Sequence, residues 1–193
     1  GGLGFPEKGN MFTYLQKVKI LIVDDQNFTR ILVRKIIGVL GGRRIFEAKD
    51  VETAWQQILR SKDFDLLIVD WEMLEADGLE LVRRVRHDKD SPDIYMPIIM
   101  LTAHSEMSRI YTARDAGVNE FVIKPISSKT LFDRITMVIE HPRKFVRCKN
   151  FFGPDRRRHK ASFQGEERRK AEPEPVDAPD DGNSGQNSDG GNP

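Results

Sequence analysis

Three uninterrupted apolar runs, each leading straight into a polar residue, limit most sharply what this chain can fold into. Lys19–Val23 (KILIV) ends at Asp24-Asp25, Leu66–Val69 (LLIV) at Asp70, and Ile98–Leu101 (IIML) at Thr102. Runs this short do not make helices. They also lack the alternation of a strand with one wet face, so they suit strands buried on both sides. Two further runs, Arg44–Ala48 and Glu120–Ile123, read as additional strands, the second ending at Lys124-Pro125.

Between the runs the apolar period changes to that of helices. Asn27 is a candidate cap for a helix with Ile31, Leu32, Lys35, Ile36 and Val39 near helical spacing, stopped by Gly41-Gly42. Asp50 caps a helix through Arg60, with Ala54, Ile58 and Leu59 inward. Asp77 caps one opened by Gly78, with Leu79, Leu81, Val82 and Val85 on its apolar side. Ser105 begins another, carrying Met107, Ile110 and Ala113 and ending near Gly117. Ser127 or Ser128 caps the last, with Leu131, Ile135, Val138 and Ile139 inward and His141-Pro142 as its end. Five strand–helix repeats with doubly buried strands predict an α/β fold: a five-stranded parallel sheet, doubly wound, of flavodoxin-like topology. Ligands of such sheets bind outside the carboxyl ends of the strands, which is where the polar residues fall.

The overall charge of +1 hides three blocks. Residues 1–142 carry 20 basic and 21 acidic side chains, residues 143–170 carry 11 and 3, and residues 171–193 carry none and 6. The chain is therefore divided at 17–141, a globular domain, 142–170, a basic extension with scattered phenylalanines, and 171–193, an acidic tail expected to be disordered. Residues 1–16 read as an expression remnant and lead-in, with Met11 the natural start. The lone Cys148 cannot form an internal disulfide, no apolar run is long enough to span a bilayer, and no secretory leader is visible. A cytoplasmic location is the resulting expectation.

Parallel strands deliver Asp24, Asp25, Asp70, Thr102 and Lys124 to one edge. Carboxylates crowded together repel unless a cation joins them, and hard oxygen ligands suit Mg²⁺. A metal, an ammonium and a hydroxyl around one carboxylate would stabilise a transferring phosphoryl group, with Asp70 as nucleophile. Taken singly, each residue has a plainer reading: Asp24-Asp25 as turn formers, Thr102 as a helix cap, Lys124-Pro125 as a loop start. The combined order at four strand ends is what makes the pattern specific.

The stretches LIVDDQNFTR, DLLIVDWEMLEADGLEL, IIMLTA and EFVIKPI resemble the receiver domain of two-component response regulators, CheY-like, over about residues 17–141. The resemblance implies that Asp70 accepts a phosphoryl group from a histidine kinase or phosphotransfer protein. It implies Mg²⁺ held by Asp24, Asp25, Asp70 and the Glu72 backbone carbonyl, with Lys124 paired to the phosphoryl oxygens. Thr102 and Phe121 would be the switch residues, and Glu72 and His104, two positions beyond Asp70 and Thr102, would tune phosphoryl lifetime. It also implies Mg²⁺-dependent self-phosphorylation from small donors and slow autodephosphorylation. Two departures stand out. Met73-Leu74 replaces the family's common Met-Pro, which predicts a less constrained loop, and Phe121 replaces the frequent Tyr.

The rest of the chain lacks the pattern of a helix-turn-helix, so sequence-specific DNA binding is not expected. The segment KFVRCKNFFGPDRRRHK suits a solvated tail, an acidic protein partner or nucleic acid. It could also fold back, Phe145 to Phe152 lying on the face between the Ser105 helix and the last helix. Rival readings are a small Mg²⁺-dependent phosphatase using Asp70, and a degenerate receiver acting through its basic tail.

Overall fold

The computed structural model describes residues 11–74, 76–103, 107–148, 151–155 and 174–175. Five strands, β1 (Lys19–Val23), β2 (Arg44–Ala48), β3 (Leu66–Asp70), β4 (Ile98–Thr102) and β5 (Glu120–Ile123), form one parallel sheet in the order β2-β1-β3-β4-β5. The predicted α/β class, strand count and parallel direction are observed, with β3 and β4 each running one residue further than predicted, to take in Asp70 and Thr102. β1, β3 and β4 are buried at every position, whereas the edge strands β2 and β5 are not.

The helices are α1 (Met11–Leu15), α2 (Asn27–Val39), α3 (Val51–Ser61), α4 (Gly78–His87), α5 (Met107–Asp115) and α6 (Ser128–Glu140). Side chains alternate across a strand, so each strand feeds two cores. Leu21, Val23, Leu67, Val69, Ile98 and Met100 pack beneath α3, α4 and α5. Ile20, Ile22, Leu66, Ile68, Ile99 and Leu101 pack beneath α1, α2 and α6. Three of the predicted caps hold: Asp50 accepts from the Thr53 amide, Asp77 from Leu79, and Ser127 from Thr130.

Four local expectations are corrected. α2 starts at Asn27, with Gln26 as a cap that makes no side-chain bond, so Asn27 lies inside the helix. The buried stripe of α2 is Thr29, Val33, Ile36 and Ile37, while Ile31 and Val39 are 40% and 81% exposed. In its first turn the Arg30 guanidinium donates to the Asp24 and Asp25 carbonyls, and the buried stripe packs against β1 and α6. Leu59 is only half-buried, and Val51 and Trp55 fill the core with Ala54 and Ile58. Ahead of β1, α1 contributes Leu15, fully buried, to the second core.

The segment after α6 also folds. β6 (Phe145–Cys148) and β7 (Phe151–Pro154) form an antiparallel pair, and β8 (Glu174–Pro175) joins the other edge of β6. The hairpin does fold back, but not onto the face between the Ser105 helix and α6. Phe145 and Phe152 meet Tyr95 edge-on at 5.1 and 5.7 Å, and Phe152 also meets His87. The Arg86 guanidinium lies 5.1 Å over the Phe145 ring and donates to the Gly117, Ile94 and Asn119 oxygens. Aromatic contact with this desolvated cation therefore draws the hairpin to the amino-terminal ends of β4 and β5. That is a strand length, roughly 15 Å, from the carboxyl ends. The acidic tail expected to be disordered lies, apart from Glu174–Pro175, outside the described residues.

Gly78 ties α4 to the end of β3. Its amide donates to the Trp71 carbonyl at 2.8 Å, and a Cβ built there would meet the Asp70 carbonyl oxygen at 2.0 Å. Gly78→Ala is expected to destabilise the domain by about 2–3 kcal/mol, read as a lower urea midpoint with an unchanged slope.

Candidate functional site: an acidic pocket at the strand ends

β1 stops at Val23, and the next two residues turn across the sheet edge. The Asp24 carboxylate bends back to accept the Gln26 amide at 2.7 Å, and the Arg30 guanidinium donates to the Asp24 and Asp25 carbonyls at 2.7 and 3.3 Å. Arg30 is in turn paired to Glu47 of β2 and bonded to the Asn27 side chain. Arg30 was missed from sequence. Its signal is nearness in sequence, since it lies in the first turn of α2, five and six residues past the two carbonyls it bonds.

β3 carries Asp70 into the same space. One carboxylate oxygen from each of Asp24, Asp25 and Asp70 falls within 4.8 Å of the others. Asp24 and Asp70 are 0% and 1% exposed. From β5, Lys124 reaches in, its Nζ 2.9 Å from Asp70 Oδ1 and 3.4 Å from Asp24 Oδ2. Thr102 at the end of β4 is fully buried, and its carbonyl accepts the Lys124 amide at 2.8 Å. The structure therefore gathers Asp24, Asp25, Asp70 and Lys124, with Thr102 one residue past the β4 partner of Asp70. Phe121 is half-buried on β5 against the first core. The Glu72 side chain is exposed, and its backbone bridges to Asp77. His104 lies outside the described residues.

The electrostatics are unbalanced. Burial pushes the Asp70 carboxyl up to about 6, the Lys124 hydrogen bond opposing and the Asp24 charge adding to the rise. Asp24 is also raised by burial, against its bonds to Gln26 and Lys124. For Lys124 burial works downward, but the hydrogen bond and charge of Asp70 outweigh it and the ammonium is held above its ordinary value. The Lys124 ammonium thus pairs with two of the three gathered carboxylates. Asp25 Oδ1 and Asp70 Oδ2 are buried with no hydrogen-bond partner. Two bare carboxylate oxygens beside a third carboxylate fit a small divalent cation that takes oxygen ligands and keeps waters.

The loop after β3, where Met73-Leu74 replaces the common Met-Pro, is tied to the turn after β1. The Leu74 amide donates to Asp25 Oδ2 at 2.7 Å, a bond that proline at this position could not make. Leu74's own side chain is 95% exposed, and Met73 packs on the first core.

A carboxyl whose pKa is higher folded than unfolded favours folding below its unfolded value, and that contribution is lost as pH rises through the folded one. In chelator, Asp70→Asn is therefore expected to stabilise the protein by about 2 kcal/mol at pH 7.5. The gain should fade as pH falls from about 6 toward 4, which urea unfolding across that range would read.

Known proteins resemble this chain in sequence and in fold. The family described as Response regulator receiver domain matches residues 20–136. A chemotaxis protein CheY homolog of Campylobacter jejuni is 36% identical over 122 residues, covering 63% of this chain and 92% of the relative. Chemotaxis protein CheY of Pseudomonas aeruginosa is 37% identical over 123 residues, covering 64% and 97%. Among solved structures, CheY4 of Vibrio cholerae superposes with a TM-score of 0.57 at 26% identity, over 63% of this chain and 98% of that one. With the family match spanning more than half of its length, this chain belongs to the response regulator receiver domain family.

Proposed function

We propose that the chain is a phosphoryl-accepting switch: Asp70 takes a phosphoryl group from a histidine kinase or phosphotransfer protein, and the change alters a surface read by a partner protein. The observation that carries this is the pairing of Lys124 Nζ to Asp70 Oδ1 at 2.9 Å while Asp70 Oδ2 stays buried and bare. One oxygen is oriented by the ammonium and the other keeps its lone pairs for attack or coordination.

Mg²⁺ held by Asp24, Asp25, Asp70 and the Glu72 carbonyl would neutralise the carboxylates and the incoming phosphoryl oxygens. In the transfer, an Asp70 oxygen forms a bond to phosphorus as the bond from phosphorus to the donor nitrogen breaks, and the departing imidazole takes up a proton. Lys124 follows the charge onto the phosphoryl oxygens. Leu74, by bonding Asp25 through its amide, and Arg30, by bonding two carbonyls, hold the turn that aims Asp24 and Asp25. Thr102 is the hydroxyl on β4 suited to bond the new group. Phe121, half-buried, would turn inward once Thr102 moves.

The phosphatase reading would use Glu72 as a second acid, and the carboxylates that gather within 4.8 Å of one another are those of Asp24, Asp25 and Asp70. Among the described residues, no helix is long and apolar enough to cross a membrane.

Addition of Mg²⁺ with beryllofluoride, a phosphoryl mimic, should shift the amide NMR signals of Asp70, Thr102, Phe121 and Lys124, and Asp70→Asn should abolish those shifts. Unmoved Thr102 and Phe121 in the presence of bound mimic would contradict the switch. Glu72→Ala and His104→Ala should each change the lifetime of the aspartyl phosphate severalfold, measured as phosphate release after removal of the donor. Unchanged lifetimes would assign these positions no part in hydrolysis.

A further inference from the structure

Each of the three gathered carboxylates has two oxygens, and donors from the chain take up one or both of them. Asp24 Oδ1 accepts the Gln26 amide at 2.7 Å, and Asp24 Oδ2 lies 3.4 Å from Lys124 Nζ. Asp70 Oδ1 lies 2.9 Å from the same ammonium. Asp25 Oδ2 accepts the Leu74 amide at 2.7 Å. The oxygens left over, Asp25 Oδ1 and Asp70 Oδ2, are buried and bare. Asp25 and Asp70 can therefore each give one oxygen to a cation without breaking a bond. To give both, Asp70 must release Lys124 and Asp25 must release Leu74.

The two restraints differ in kind. Lys124 carries its charge on a flexible four-carbon stem and can follow a carboxylate that turns. The Leu74 donor belongs to the main chain of the loop between β3 and α4. That loop is pinned by the Gly78 amide on the Trp71 carbonyl, by the bridge between Glu72 and Asp77, and by Met73 on the first core. The Leu74 side chain is 95% exposed, so its contribution to the pocket lies in the amide. The number of oxygens a carboxylate can offer matters to the cation. Mg²⁺ takes single oxygens in strict octahedral geometry and keeps several waters, whereas the larger Ca²⁺ takes roughly six to eight oxygens and often both from one carboxylate.

We propose that the main-chain amide of Leu74 is a specificity determinant of the pocket: by holding Asp25 Oδ2 it confines Asp25 to one-oxygen coordination and so favours Mg²⁺ over Ca²⁺. The inference rests on the metal reading of the pocket given above. Leu74 touches a ligand carboxylate and not the cation, so it is a positioning residue. For Asp25 to bind Ca²⁺ through both oxygens, a charge-assisted hydrogen bond must break, and such bonds are stronger than those between neutral groups. Proline at this position has no amide hydrogen and leaves Asp25 free to turn both oxygens to the cation. A receiver with leucine here therefore discriminates between the two cations more sharply than the same chain with proline.

The test is calorimetric titration of the full chain with magnesium chloride and, separately, with calcium chloride, read as the ratio of the Ca²⁺ Kd to the Mg²⁺ Kd. Leu74→Pro should lower that ratio by roughly threefold or more, and Leu74→Ala, which keeps the amide, should return it to the wild-type value. A second measurement uses the unaltered chain. The Leu74 amide proton should keep its downfield, hydrogen-bonded NMR shift when Mg²⁺ saturates the pocket and lose it when Ca²⁺ does. An unchanged ratio in a folded Leu74→Pro variant, or an equal fall in Leu74→Ala, would overturn the role of the amide. If Leu74→Pro does not fold, the same Leu74 shift under both cations would overturn it. Failure of the unaltered chain to bind either cation would overturn the metal reading itself, and this inference with it.

Discussion

Asp24, Asp25 and Asp70 converge because two adjacent parallel strands end at the same edge, and the Lys124 ammonium pairs with Asp24 and Asp70 there. Much of the architecture serves to hold that unfavourable cluster together. The doubly buried strands β1 and β3 fix the spacing of the carboxylates. Arg30 closes the turn after β1, Gly78 lets α4 start against the Asp70 carbonyl, and Lys124 reaches across from β5. The cost is visible in the raised pKa of Asp70, which burial and the neighbouring charge of Asp24 push up against the Lys124 bond. A pocket that disfavours its own charges is ready for a cation and then for a transferring group whose charge must be shared.

The sheet was legible because its signal is redundant. Each central strand is apolar at every position and ends in a polar residue, and β-branched composition, length and flanking caps all agree. The convergence of Asp24, Asp25, Asp70 and Lys124 was legible for the same reason, since parallel strands must bring their carboxyl ends together. What could not be read was orientation that depends on a partner. The apolar residues of α2 allow several inward stripes, and packing against β1 and α6 selects the one containing Val33 and Ile37. Replacement of the family's common proline by Leu74 suggested a looser loop because proline's stiffness is a local property. The Leu74 amide that replaces it acts through Asp25, 49 residues earlier in the chain.

The extension after α6 shows a similar limit. Its phenylalanines have no helical or strand period strong enough to mark a fold, and they find order against Arg86 and Tyr95, which belong to the receiver. Arg86 is fully buried and lowered to about 9, its loss of water offset by carbonyl bonds and the Phe145 ring. A buried guanidinium with satisfied donors and an aromatic cover is a binding surface that a sequence does not announce. The result is a molecule with chemistry at one end of its sheet and an added hairpin at the other.

The central claim is that the acidic pocket makes Asp70 a phosphoryl acceptor. The most direct measurement is intact-mass analysis of the full chain incubated with acetyl phosphate and Mg²⁺, followed by borohydride trapping and peptide mapping. The account predicts a single phosphoryl group that requires Mg²⁺, is lost in base, and maps to Asp70. Absence of the adduct in a protein shown to bind Mg²⁺, or its appearance on another residue, would contradict it.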